Sequence, residues 1–189
     1  VGPHDVALAL VGATYANGYV KNKVMEFVGP GVASLSADCR NGIDCMTTET
    51  TCWSSIWQTD GVTEEYLAGH GRADAYKELK PADVAYYDGC IELDLSKIEC
   101  MIALPMHPSY AYPIRELKAN AKDLLHEIET RANEQLSGKV KMDLVSKVRA
   151  DGSIYVDQGI VAGCSGGTYE NLCAVADILR GKSCGNGEF

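Results

Sequence analysis

The sequence predicts an α/β fold, layered α/β/α about a mostly parallel sheet. Three observations carry that expectation. Short apolar runs alternate with segments of helical period, glycine and proline turns separate the two kinds, and a glycine-rich turn near residue 164 joins a strand candidate to a helix.

In chain order, Pro3 and Asp5 open an apolar helix over Val6 to Ala16, which Asn17-Gly18 closes. Val24 to Val28 reads as a short buried strand ended by Gly29-Pro30-Gly31. A loop and helix run to Thr48, and Trp53 to Trp57 is the second strand. Asp60 caps a short helix through Tyr66 and Leu67. Ile91, Leu93 and Leu95 alternate with Glu92 and Asp94, the period of a half-buried strand. Pro105, Pro108 and Pro113 mark an extended connector. Leu117, Ala121, Leu124, Ile128 and Leu136 then line one face of a long amphipathic helix that Gly138 ends. Asp151-Gly152 turns into a strand over Ile154 to Ala162. A last helix, Thr168 to Arg180, is expected to bury Leu172, Val175 and Leu179. The prolines divide the chain into an α/β unit at 1–104, a connector with the long helix at 105–138, and the start of another α/β unit at 139–189.

The 189 residues are 46% hydrophobic and 23% charged, enough apolar material for a real core. A net charge of −9 argues against nucleic acid or an anionic membrane as the main partner. No apolar run is long enough to span a bilayer and no signal-peptide pattern opens the chain, so a cytoplasmic location is expected. The start at Val1 and the stop at Gly185-Asn186-Gly187-Glu188-Phe189 suggest a piece of something longer. The eight cysteines (Cys39, Cys45, Cys52, Cys90, Cys100, Cys164, Cys173, Cys184) are read as reduced thiols, and no CxxC pair or histidine spacing suggests a self-contained zinc site.

Two segments carry chemistry. The turn Gly163-Cys164-Ser165-Gly166-Gly167 puts a thiol where unpaired N–H groups and a helix dipole favour a thiolate, hence a nucleophile or a metal ligand. The same residues match the G-x-S-x-G elbow of α/β-hydrolases, but no histidine follows Ser165 to complete their residue order. The second segment is Met46-Thr47-Thr48-Glu49-Thr50-Thr51-Cys52. A carboxylate amid small hydroxyl groups suits an acid–base residue, and it equally suits a surface turn whose threonines cap a helix.

Gly29-Pro30-Gly31-Val32, the Met46-to-Cys52 segment, Tyr87-Asp88 before Ile91-to-Ser96, and Gly163-to-Asn171 occur in one order and spacing. Together they resemble the iron–sulfur part of the aconitase superfamily, and in particular its divergent bacterial aconitase-like hydratases. The resemblance covers nearly the whole chain, less closely over Glu116 to Val156. It implies the family's second domain followed by the opening strand–turn–helix of its third.

The resemblance gives Glu49 the place of the family's catalytic glutamate, which orients the group that handles water. It gives Cys164 the place of the first [4Fe-4S] ligand in the pattern Ser-Cys-Thr-Asn-Ser. Here the Thr-Asn pair is replaced by Ser165-Gly166, and Cys45 stands where typical members have an asparagine near the cluster. Cys45 and Ser165 thus become the cluster's expected neighbours. The implied activity is a hydro-lyase that dehydrates or rehydrates a small hydroxy di- or tricarboxylic acid, using a cluster with one open iron as Lewis acid. The family's Cys-x-x-Cys pair, serine base and substrate arginines have no counterparts in these residues, so this polypeptide alone is expected to be inactive and without cluster. The alternatives are a serine hydrolase using the Ser165 elbow and a non-catalytic aconitase-like binding or regulatory protein.

Overall fold

Helix α1 (Pro3–Thr14) lies in the middle of the molecule because it is apolar on most of its circumference. Val6, Ala7, Leu8, Leu10 and Val11 are all buried. In the computed structural model, which describes residues 1–183 and 185, its first turn is fixed by Asp5, whose carboxylate accepts the Gly2 N–H at 2.7 Å. The other oxygen of Asp5 accepts the Met101 N–H at 2.7 Å and ties the helix to a strand 96 residues away. The helix runs from Pro3 rather than Val6, and Asn17 closes it by donating to the Ala13 carbonyl at 3.1 Å.

Strand β1 (Val24–Phe27), helix α2 (Ala37–Cys45) and strand β2 (Ser54–Trp57) form a β–α–β unit. The two strands pair in parallel from Val24 with Ser54 to Phe27 with Trp57, whose rings stack 4.2 Å apart. Both strands fall within one residue of the sequence expectation, and the mixed α/β class with a parallel sheet is observed. Helix α3 (Gly61–Gly69) follows, capped by Asp60, which accepts the Val62 and Thr63 N–H groups at 3.1 and 3.3 Å.

The proline-marked connector is in part a hairpin. Strand β3 (Met101–Ala103) pairs antiparallel with β4 (Ala111–Pro113). The expected long helix is broken in two, α4 (Ile114–Ala119) and α5 (Ala121–Gln135), at Asn120, whose φ of −128° leaves the helical region. Leu117, Leu125 and Ile128 pack with Leu104 into one core cluster. A second cluster joins Leu10, Val20 and Met25.

Two expected strands are absent. Residues 91–95 form no ladder, although Leu93 and Leu95 are more buried than their neighbours. Among the described residues no strand lies alongside to accept them. Asp94 instead turns the chain into a short 3-10 segment, Leu95–Lys97, by accepting from the Ser96 N–H and hydroxyl. From Ile154 to Ala162 only one bridge forms, Val148 with Ile154, and the rest is irregular and exposed.

Helix α6 (Gly163–Gly166) is a single turn, separated from α7 (Tyr169–Leu179) by Gly167-Thr168. The stripe expected to be buried on α7 is not. Leu172 is 48% and Leu179 39% exposed, and Val175 is half-buried, because nothing among the described residues packs on that face. Cys184 lies outside the described residues, as does most of the C-terminal segment from which a longer parent was expected. No helix among the described residues is long and apolar enough to cross a membrane.

Candidate functional site

The site is built on the C-terminal end of α2. The last four carbonyls of a helix have no intrahelical donors, and here each finds one from elsewhere. The Ser165 hydroxyl donates to Gly42 O at 2.7 Å, and the Met46 N–H to Ile43 O at 3.0 Å. The Thr47 hydroxyl donates to Asp44 O at 2.8 Å and the Thr48 hydroxyl to Cys45 O at 3.3 Å. Thr47 and Thr48 of the Met46-to-Cys52 segment therefore cap α2.

Glu49 sits on the 3-10 turn Thr47–Thr50 with its side chain exposed. Its N–H donates to Met46 O at 3.1 Å. The turn is held rigidly beneath it, since Thr50 is fully buried and donates to Thr47 O at 2.6 Å.

Asp44 is the residue that sequence reasoning missed. Its carboxylate accepts from the Ser55 hydroxyl at 2.5 Å and the Trp57 indole N–H at 2.9 Å, locking the end of α2 onto β2. The signal was there in period-two form, because Ser55 and Trp57 point to the same side of their strand. A shallow hollow of about 280 Å³ opens beside it, lined by Cys45, Thr47, Thr48 and Cys52 among others.

Cys164 is exposed in the turn of α6, and Ser165 beside it is 7% exposed. Because Ser165 is pinned to Gly42, α6 rides on the last turns of α2 and brings Cys164 to Cys45, the residue that ends α2. The Cys164 thiol lies near enough to act on the titration of Cys45. Burial, the contact with Cys164 and the nearby Asp44 carboxylate together push the Cys45 thiol above the ordinary cysteine range. Cys39, earlier on α2, is also pushed up, chiefly by burial and then by Glu170.

Close packing requires glycine at two points. A Cβ on Gly42 would lie 2.8 Å from Pro3 Cβ, and one on Gly167 would lie 2.6 Å from the Gly163 carbonyl oxygen. On the far side of Cys164 a groove of about 690 Å³ runs between α2, α3 and α7, lined by Asp38, Asn41, Tyr66, His70, Thr168 and Glu170 among others. Thr168 Oγ1, at the start of α7, is buried without a hydrogen-bond partner among the described residues.

The structure thus brings Cys45, Cys164 and Ser165 together, while Glu49 lies one turn beyond Cys45 and lines neither hollow. The hydrolase elbow lacks its setting. No strand leads directly into Gly163, and the Ser165 hydroxyl is buried against a backbone carbonyl rather than a base.

A model of the aconitase family (aconitate hydratase) matches residues 1–188. The chain belongs to the aconitase family. Among curated relatives, the chain is 29% identical over 182 residues to the 2,3-dimethylmalate dehydratase large subunit of Eubacterium barkeri, covering 96% of this chain and 35% of that protein. It is 28% identical over 183 residues to the 3-isopropylmalate dehydratase large subunit of Caldicellulosiruptor bescii, covering 97% and 34%. With 3-isopropylmalate dehydratase large subunit 1 of Pyrococcus furiosus the identity is 29% over 178 residues, 94% and 34%. The chain spans about a third of the length of these aconitase-family relatives.

Among the described residues no three His, Cys, Asp or Glu side chains converge as a metal site. The donor chemistry nonetheless fits one corner of an iron–sulfur cluster. Cys164 offers an unburied soft thiol facing open space, and the orphaned Thr168 hydroxyl adjoins the same turn.

Proposed function

We propose that this chain contributes one ligand corner and an acid–base residue to an aconitase-type hydro-lyase. The full-length polypeptide would dehydrate and rehydrate a small hydroxy di- or tricarboxylic acid. The match to the aconitase family over residues 1–188 carries this reading. The names of the relatives, dehydratases of 2,3-dimethylmalate and 3-isopropylmalate, favour alkyl-substituted malates as the substrate class. Their description as large subunits favours assembly with a smaller partner polypeptide.

In this proposal Cys164 is a thiolate ligand and Glu49 holds or moves the proton of the hydroxyl that leaves and returns as water. A [4Fe-4S] cluster with one open iron, when bound, supplies a Lewis acid for carboxylate and hydroxyl oxygens. Ser165 fixes the ligand turn on α2 and Cys45 lies beside the ligand sulfur, so both set the ligand's surroundings. We assign residues 1–104 to the family's second α/β domain, 105–138 to a connector with a long helical stretch, and 139–189 to the start of the third. The remaining cluster ligands and the substrate-binding arginines would come from outside this chain, which alone would be inactive.

The test is anaerobic purification of the full-length protein and of its Cys164→Ser variant. Iron and acid-labile sulfide should be present in the first and largely lost from the second. Unsaturated acid should form from an alkylated malate only with the first. A Cys164→Ser protein that keeps its iron and its turnover would overturn the assignment.

A further inference from the structure

We propose that Asp44 is a positioning residue for Glu49, fixing the turn on which that carboxylate is presented. This role rests on the reading above that Glu49 acts on the hydroxyl that leaves as water. The Glu49 side chain is exposed and makes no hydrogen bond among the described residues. Its direction is therefore set by the backbone beneath it.

That backbone is a stack of hydrogen-bonded side chains with Asp44 at its base. The Thr50 hydroxyl donates to Thr47 O at 2.6 Å, and the Cys52 thiol donates to the same oxygen at 3.3 Å. Thr47, 3% exposed, donates its hydroxyl to Asp44 O at 2.8 Å and lies 2.9 Å from the Ser55 hydroxyl. The Asp44 side chain then crosses to β2. There its Oδ1 accepts from the Ser55 hydroxyl at 2.5 Å and from the Trp57 indole at 2.9 Å. The Trp57 ring is itself held against Phe27 of β1, only 7° from parallel.

The protons of this knot have one consistent arrangement. A carboxylate only accepts, so Ser55 donates its proton to Asp44. The Ser55 oxygen is then an acceptor for Thr47, whose single proton is shared with the Asp44 carbonyl. Without the Asp44 carboxylate, Trp57 loses its acceptor and the Ser55 and Thr47 hydroxyls are free to reorient. The Thr47–Thr50 turn then shifts on the end of α2 and takes Glu49 with it. An acid–base group tolerates little displacement from the proton it handles.

The experiment compares Asp44→Ala, Asp44→Asn, Glu49→Gln and the Asp44→Ala/Glu49→Gln double variant in the full-length protein. All are purified without oxygen and assayed with an alkylated malate, and all should hold wild-type iron. Asp44→Ala should lower kcat by roughly 10–10²-fold, the reach of about 1 Å of misplacement, with KM unchanged. Asp44→Asn keeps an oxygen that accepts from Ser55 and Trp57, so most of the wild-type kcat should remain. The double variant should match Glu49→Gln alone, because Asp44 acts only through the residue already removed. Ser55→Ala removes one arm of the anchor and should lower kcat less, again at constant KM; it carries the test should Asp44→Ala not fold. Wild-type kcat in whichever of these two folds, losses that multiply in the double variant, or iron lost from Asp44→Ala overturns the positioning role. Glu49→Gln at full turnover instead overturns the catalytic reading beneath it.

Discussion

The Ser165 hydroxyl satisfies the carbonyl of Gly42 across 123 residues of sequence, and through that one bond the cysteine turn is registered on α2. Removing it leaves a buried acceptor without a partner. Ser165→Ala is therefore expected to cost about 1–2 kcal/mol, read as a lowered urea midpoint at unchanged m-value. A midpoint identical to wild type would show that water or another donor replaces the hydroxyl at no cost.

The Arg40 guanidinium, 5% exposed, donates to both Asp60 oxygens at 2.9 and 2.8 Å and to the Val32 carbonyl at 2.9 Å. Arg40 and the capping N–H groups hold the Asp60 carboxyl below the usual carboxylate range. Its contribution is thus complete above the unfolded-state value, near pH 4, and is lost as pH falls through the lower folded value. Asp60→Asn strands the buried cation and should destabilise by about 3 kcal/mol at neutral pH. The wild-type loss of stability on acidification should be correspondingly shallower in the variant. Parallel acid profiles for the two proteins would remove this ion pair from the acid response.

Gly42 touches Pro3 so closely that any side chain displaces α1 from α2. Gly42→Ala should cost about 1–3 kcal/mol through overpacking, measured by thermal or urea unfolding. An alanine variant as stable as wild type would mean that the two helices part without loss.

Glu49 is exposed and makes no side-chain hydrogen bond among the described residues, so Glu49→Gln should leave stability within about 0.5 kcal/mol of wild type. In the full-length protein the same change should leave iron content intact and lower turnover by roughly 10²–10⁴-fold. Unchanged kinetics would remove Glu49 from the mechanism.

Local signals were legible in the sequence wherever a few neighbouring residues decide the outcome. The Asp60 cap, the β1 and β2 runs and the closure of α1 by Asn17-Gly18 all belong to this kind. What failed depends on partners far along the chain. Leu93 and Leu95 keep the burial rhythm of a strand without a neighbouring ladder, and Ile154 finds only Val148. Leu172 and Leu179 carry the pattern of a buried stripe on a helix whose apolar face is uncovered among the described residues. At the site, the turn around Cys164 and the cysteine at position 45 could be singled out from sequence. Their meeting could not, because it depends on the Ser165–Gly42 bond and on a glycine letting α1 approach α2.

Pro3, Gly42 and the Ser165 backbone oxygen converge on one spot, so the first helical turn and the cysteine turn share a platform. Contacts spanning most of a chain form late, since a large loop must close before they can contribute. During synthesis the α1–α2 platform leaves the ribosome long before residue 164 does. Cys164 accordingly reaches its place only after the α1–α2 platform beneath it has been synthesised.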